Sequence, residues 1–381
     1  METLTGIKTK KLGFGLMRLP TKAGLIDIKE LKAMVDIFMD AGFNYFATAH
    51  PYMALRSEGA IRKALVKRYP RDSFYLVNKL TSNFFINESQ IIPLFNSQLK
   101  ACGVDYFDVY LAHSLNSSNY EKFKRCNAFD VCKRLKREGK IKHFGISFHD
   151  KAHVLDLILN ENPEIDVVQI QFNYVDYDSA STESKKVYDV CRKHNKPIFI
   201  MEPLRGGCLV KHLPAEAEKE FAKLGDTPAS YALRFPGNFE GVEMILSGFS
   251  TLEQVAENVK TMKDYRPLNE LEMETVFKVK DMFKAQDMVA CTACRYCMEG
   301  CPKNIQIPDI FACLNAETSF TSFKWSTEIY YHEAITTNGN KASDCIGCGK
   351  CEAACPQNLP IRELLKVAVE EFEKKEREKV K

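Results

Sequence analysis

The chain reads as an α/β protein, a (β/α)8 barrel followed by a smaller, mostly helical domain. Two observations predict this. Eight short β-rich runs (GFGLM, FNYFAT, SFYLVNK, YFDVYLAH, IKHFGIS, DVVQIQF, PIFIME and VEMILSG) alternate with helical stretches, and eight such repeats over about 250 residues fit a closed parallel barrel. Behind them, eight of the 14 cysteines fall into two regular runs. An open doubly wound sheet is the competing architecture; it would carry a G-x-G-x-x-G turn after its first strand, which GFGLMR does not match.

The totals agree with two domains. At 381 residues with 45% apolar content, the chain can bury a full core and exceeds one ordinary domain. Its 53 basic and 50 acidic residues leave a net charge of +3, spread along the chain. No strong field for nucleic acid results, and small molecules or proteins are the expected partners. METLTGIKTKKLGFG has no apolar targeting core, and no apolar run approaches the roughly 20 residues that span a bilayer. A cytoplasmic protein with no membrane partner is expected.

Helices between the strands are predicted from apolar residues at helical spacing in IKELKAMVDIFMDAG, SEGAIRKALVKRY, IIPLFNSQLKACG, NAFDVCKRLKREG and KAHVLDLILNEN. The barrel is assigned to residues 1–262, a helical linker to 263–288 and the second domain to 289–381. In a barrel, function gathers where strands end at the C-terminal face. Tyr52 follows the second strand, Lys79 lies on the third, His113 follows the fourth, Ser147 lies on the fifth and Gln169 on the sixth, while Glu202 follows the seventh.

The cysteine runs carry their own chemistry. CTACRYCMEGCP at 291–302 and CIGCGKCEAACP at 345–356 repeat the spacing C-x2-C-x2-C-x3-C-P. Three thiolates at that interval grip three irons of one [4Fe–4S] cubane, and the fourth, before proline, ligates the other cluster in two-cluster ferredoxins. Cys291, Cys294, Cys297 and Cys355 are therefore assigned to one cluster, and Cys345, Cys348, Cys351 and Cys301 to a second. Structural zinc is the alternative, but it needs one tetrahedral set and has no use for a third cysteine at the same interval.

The segment 302–344 exceeds a minimal ferredoxin loop, and IPDIFACLNAETSF within it has helical spacing, so a mostly helical two-cluster ferredoxin-like domain is expected. Trp325, Tyr330 and Tyr331 are read as packing residues, and the tail from Leu359 as an amphipathic helix that becomes all charge. Cys102, Cys126, Cys132, Cys191, Cys208 and Cys313 are scattered and read as reduced, structural thiols.

Between residues 10 and 262 the chain resembles the aldo-keto reductases. NYFATAHPYMALRSEGAIRKAL is similar to their Asp-Thr-Ala…Tyr…Ser-Glu element, LVNKL to their lysine strand and VYLAHS to their histidine strand. With the cysteine runs, the whole resembles the subgroup with an appended dicluster ferredoxin domain. The resemblance implies reduction of an aldehyde or ketone by NADP(H) or NAD(H), with Tyr52 as acid, Lys79 as its cationic partner and His113 orienting the carbonyl oxygen. It further implies that Ser147 and Gln169 hold the nicotinamide carboxamide and that Met201 stands at the ring-stacking position. Leu204, Gly206 and Gly207 correspond to the loop under the pyrophosphate, and Ser250, Gln254, Glu257 and Asn258 to the adenosine contacts. A ferredoxin-like or flavodoxin-like redox partner is implied by the clusters.

This sequence departs from the pattern in several places. Ala47 stands where the family has the aspartate that pairs with the lysine, and Phe148 where it has asparagine. No lysine or arginine lies in SGFSTLEQVAENV to hold a 2′-phosphate, and Arg234 is a distant candidate. Without the aspartate, Lys79 is left unpaired, unless another group such as His50 substitutes, and ordinary carbonyl reduction is expected to be impaired. An electron-transfer or scaffold protein whose barrel has lost its chemistry is the alternative function.

Overall fold

The computed structural model describes residues 5–211, 213–286, 288–319, 329–336 and 339–374. Barrel strands are numbered here in chain order: β1 Leu12–Gly15, β2 Tyr45–Ala47, β3 Tyr75–Thr81, β4 Phe107–Leu115, β5 Ile141–Phe148, β6 Val167–Gln171, β7 Ile198–Met201 and β8 Val242–Gly248. Each pairs in parallel with its chain neighbours, and β1 closes the ring by pairing with both β2 and β8. This is a (β/α)8 barrel, and all eight β-rich runs of the sequence are its strands.

Alternation along each strand sorts the side chains into two cores. Tyr45, Ala47, Val77, Val109, Leu111, Val167, Phe199, Met244 and Leu246 fill the barrel interior. Their neighbours, such as Phe46, Leu76, Tyr110 and Ile170, face the helices in the larger outer core. At Gly145 on β5 a side chain is excluded, because a Cβ would stand 2.5 Å from Val167.

The outer helices follow the sequence pattern. Ile28–Asp40 is capped by the Asp27 carboxylate and buries Leu31, Met34, Val35 and Phe38, one stripe of a 3.6-residue period. Ile91–Cys102 ends at Gly103 in the left-handed conformation. Ser57–Ile61 runs on into a π turn, Arg62–Val66.

Segment 263–288 contains a helix, Glu270–Lys284, opened by a capping box between Asn269 and Glu272. Its Val276, Val279 and Phe283 lie in the barrel's outer core. Arg234, 1% exposed, donates to both Glu272 oxygens at 2.9 and 2.7 Å and to the carbonyls of Arg266 and Pro267. The guanidinium thus ties the barrel to this helix and does not enter the cleft described below, which corrects its reading as a phosphate contact.

The described part of the C-terminal region is helical, with Tyr296–Glu299, Ile307–Ser319, Lys350–Ala353 and Ile361–Ala368 around a separate apolar core. Tyr331 is buried, stacks on Phe372 at 4.8 Å and donates to Glu373. Tyr330 is 53% exposed, because its neighbour on the same turn takes the inward position, so its reading as a packing residue is corrected. Trp325 and the tail beyond Lys374 lie outside the described residues. No helix among the described residues is long and apolar enough to cross a membrane.

Candidate active site and cysteine cages

At the C-terminal mouth of the barrel lies a cavity of about 850 Å³. Its wall includes Ala47, Tyr52, Lys79, His113, Ser147, Gln169, Met201, Leu204, Gly206, Gly207, Ser250, Gln254, Glu257 and Asn258. The strand ends, the loops after them and the start of helix Leu252–Lys263 thus bring these residues to one surface, while Arg234 and His50 lie outside it.

Tyr52 sits in the loop after β2. That loop is pinned by Thr48, whose hydroxyl pairs with Ser57 at 2.8 Å, and by Ser57, which donates to the Leu16 carbonyl. Met53, Ala54 and Leu55 follow with φ of 54°, 52° and 66°, three non-glycine residues in the left-handed region, a costly conformation that the surrounding contacts must hold.

Lys79 is 2% exposed. Its ammonium donates to the Thr48 carbonyl at 2.8 Å and to the Tyr52 hydroxyl at 3.0 Å. No carboxylate among the described residues forms an ion pair with it. His50 does not substitute: its Nδ1 lies 2.9 Å from Glu58, and its ring packs on Phe84.

His113 shares a hydrogen bond with the Thr81 hydroxyl through Nδ1 at 2.7 Å, leaving its other nitrogen for the cavity. Burial, then the Lys79 cation and His149, hold it well below the usual histidine range, so its imidazole is neutral near pH 7. His149, which the sequence reading missed, also lines the cavity, and burial with Lys79 pushes it down to about 4. A neutral imidazole can donate one hydrogen bond to a carbonyl oxygen without transferring its proton.

The nucleotide residues differ in how much capacity they have left. Gln169 donates to the Met201 sulfur at 3.3 Å, while its Oε1 is buried without a partner. Ser147 accepts from the Ser114 amide at 2.9 Å. Gln169 lines the cavity, and an amide oxygen there without a protein partner fits a ligand carboxamide. At the far end, Thr251 caps helix Leu252–Lys263, the Gln254 oxygen accepts from the Ser250 amide, and Asn258 donates to Ser247 at 3.0 Å. Arg18 and Lys211, not singled out in the sequence, add two cations to this wall.

The second domain forms the remaining wall with Ala293, Cys294, Arg295, Tyr296, Met298 and Glu299. Arg18 donates to the Thr292 carbonyl at 2.9 Å, and Cys208 to the Cys291 carbonyl at 3.6 Å. Gln171 and Gln357 exchange two hydrogen bonds, at 2.8 and 2.9 Å, in a buried reciprocal pair. Gly206 owes its lack of a side chain to this docking, since a Cβ there would stand 2.6 Å from the Thr292 carbonyl. Tyr296 reaches furthest: its ring stands edge-on to His113 at 6.2 Å, on the wall it shares with Tyr52. Only its place between two cysteines in CRYC marks it in the sequence.

The cysteines surround two separate cavities. Cys291, Cys294, Cys297 and Cys355 line the one nearer the barrel, with Phe311, Leu359 and Ile361. Cys301, Cys345, Cys348 and Cys351 line the other, with Ile305, Ile307 and Leu365. Burial pushes Cys291 up to about 11 and Cys294 to about 12, and the nearby thiols add to both shifts. Such a set ionises when positive charge is supplied between the sulfurs. Among the described residues no His, Cys, Asp or Glu trio converges tightly enough to hold a single metal ion; the thiols are instead spread around their cavities, which suits a cluster several ångströms across.

The fold and this site define a barrel oxidoreductase with an iron–sulfur appendix. The family model "Aldo/keto reductase family" matches residues 11–281, and "4Fe-4S dicluster domain" matches residues 290–360. The chain belongs to the aldo/keto reductase family and carries a 4Fe-4S dicluster domain behind the barrel. It is 21% identical to L-galactose dehydrogenase of Arabidopsis thaliana over 294 residues, covering 72% of this chain and 91% of that protein. To Protein REDOX 2 of Catharanthus roseus it is 25% identical, covering 60% and 76%. Among solved structures, an aldo-keto reductase from Klebsiella pneumoniae in complex with NADPH superposes with a TM-score of 0.59 at 17% identity, covering 72% of this chain and 96% of that one. That likeness is one of fold.

Proposed function

We propose that the protein is a cytoplasmic iron–sulfur oxidoreductase whose barrel binds a nicotinamide nucleotide and acts on an aldehyde or ketone, and whose two cysteine cages each hold a [4Fe–4S] cluster. The observation that carries this reading is the shared wall: Cys294 and Tyr296 line the same cavity as Tyr52, Lys79 and His113. When bound, the nucleotide supplies hydride chemistry and the clusters supply one-electron transfer. Tyr52 holds the proton that a developing oxyanion needs, with Lys79 fixed against it by the Thr48 carbonyl. His113, neutral and anchored on Thr81, orients the oxygen. Gln169 Oε1 is the acceptor for the carboxamide, and Ser250, Gln254, Glu257 and Asn258 lie towards the adenosine end. Cys348, exposed on the outer cage, suits exchange with a ferredoxin-like or flavodoxin-like carrier.

A second reading rests on Ala47. With no carboxylate paired to Lys79, the barrel serves as a platform for electron transfer without turning over carbonyls. The test is to prepare the protein anaerobically, measure iron for about eight atoms per chain, and titrate with NADPH and then NADH under EPR while screening aldehydes. Nucleotide-dependent aldehyde loss supports the reductase. Clusters reduced by a carrier protein, with no carbonyl turned over under either nucleotide, favour the platform.

A further inference from the structure

Strand β6 carries Gln169 and Gln171 on one face, since the alternate residues Val168 and Ile170 point to the outer core. Gln169 lines the large cavity. Gln171, 6% exposed, meets Gln357 of the dicluster domain, 3% exposed. Gln357 comes two residues after Cys355 and borders both the large cavity and the cage of Cys291, Cys294, Cys297 and Cys355. A barrel strand is thereby joined to the turn that carries the last thiol of that cage.

The join has one orientation. A glutamine amide donates through its nitrogen and accepts through its oxygen, whereas a carboxylate only accepts. Asp176, buried and paired with Arg205 at 3.2 Å, takes one Gln171 proton at 2.7 Å, so the Gln171 nitrogen faces it. The other proton goes to the Gln357 oxygen at 2.8 Å, and the Gln171 oxygen accepts from the Gln357 nitrogen at 2.9 Å. Asp176 is itself set by Asn173, which donates to the carboxylate at 2.7 Å and accepts from the Asp176 amide. Turning either glutamine over would bring like groups together in a buried site. Next along the chain, the Asn358 side chain donates to the Ser181 carbonyl at 3.2 Å, and its backbone N–H to the Cys355 carbonyl at 3.1 Å. Two successive side chains after Cys355 are therefore held by the barrel.

We infer that Gln171 is a positioning residue for the barrel-side cluster: through Gln357 it fixes the turn after Cys355, and with that turn the cluster's one-electron midpoint potential. The inference rests on the reading of the cages as cluster sites. Potential follows the hydrogen bonds and burial around the ligating sulfurs. A turn free to shift changes both at Cys355, while none of the outer cage's thiols, Cys301, Cys345, Cys348 and Cys351, lies on it.

The experiment compares the anaerobically prepared full chain with Gln171→Leu, Gln357→Leu and the double variant, in which two apolar side chains replace the amide pair. Iron content is measured first and is expected to be equal. Stepwise reduction with dithionite under EPR gives each cluster's midpoint, and the barrel-side cluster is the one whose signal is lost in Cys355→Ser. In Gln171→Leu its reduced-to-oxidised ratio at a fixed potential changes about fivefold, the worth of one hydrogen bond, and that of the outer cluster stays within about twofold. Because Gln171 acts through Gln357, the double variant shows the shift of one single variant and not the sum of two. Unmoved midpoints overturn the inference, as do equal shifts in both clusters or single shifts that add. Should a single variant lose iron, the double variant decides alone, a selective shift upholding the inference and none overturning it. If the wild type takes up no iron, the cluster reading fails on its own account and hydrogen exchange of residues 356–361 decides: faster exchange in Gln171→Leu upholds the hold on the turn, and unchanged exchange overturns it.

Discussion

Restoring a carboxylate at position 47 is the sharpest perturbation of this site. Ala47 is 3% exposed on β2, in the barrel interior, and it pairs in register with Val77, two residues before Lys79. An aspartate there points into the space beside the Lys79 ammonium. Two of the three ammonium protons are already taken, by the Thr48 carbonyl and the Tyr52 hydroxyl. The third is available for the new carboxylate. A charge-assisted hydrogen bond of this kind contributes about 1.5–3 kcal/mol, which is roughly ten- to a hundredfold in kcat/KM if it acts mainly by holding Lys79 on Tyr52 as the proton moves. The assay is anaerobic oxidation of NADPH or NADH against a panel of aldehydes, with Ala47→Asn as a control of similar shape and no charge. Ala47→Asp should gain one to two decades and Ala47→Asn little. The new charge also opposes the Lys79 field that helps to hold His113 and His149 neutral, so both imidazoles should titrate at higher pH by NMR. An aspartate variant that keeps its iron and binds nucleotide, yet reduces aldehydes no faster than the parent, would refute the argument.

Three further outcomes follow from the geometry. If the cages are crossed as the cavities suggest, Cys355→Ser should remove the same EPR signal as Cys291→Ser, and Cys301→Ser the same signal as Cys345→Ser; pairing of each signal with a single run would disprove the crossing. Glu272→Ala removes the bidentate partner of the buried Arg234 charge, and the barrel's urea unfolding should lose up to about 3–5 kcal/mol; a loss under about 1 kcal/mol would show that Asp226, at 3.1 Å, and the carbonyls of Arg266 and Pro267 suffice. His149 titrates near 4 in the folded chain against about 6.5 unfolded, so the unfolded state takes up its proton first as pH falls. Stability from this group is full above about pH 6.5 and declines towards pH 4, by roughly 3 kcal/mol in all. His149→Gln should flatten the decline between pH 6.5 and 5, and an unchanged slope would assign it to other groups.

Much of the molecule could be read along the chain, because its signals are local. A strand shows as a short β-rich run, a helix as a 3.6-residue stripe, and a cluster-binding turn as cysteines at fixed intervals. The eight strands, the helix Ile307–Ser319 and the order of site residues along the barrel were legible for that reason. Tyr330 and Arg234 were misread because direction is not local: adjacent residues on one helical turn point about 100° apart, and an arginine near a nucleotide segment can spend its charge on a buried glutamate. Gly206 could be seen as a close-approach position, but not that the approaching backbone is Thr292. His149 and Arg18 carry no pattern that separates them from surface residues. The sequence by itself determined which elements form and which chemistry each can support, since these depend on residue type and spacing over a few turns. Only the tertiary structure decided that Tyr296 stands beside His113, that Gln357 pairs with Gln171 and that Lys79 rests on the Thr48 carbonyl. Those contacts join residues far apart in the chain, and they exist because closing the barrel and docking the second domain leave each buried polar group few partners within reach.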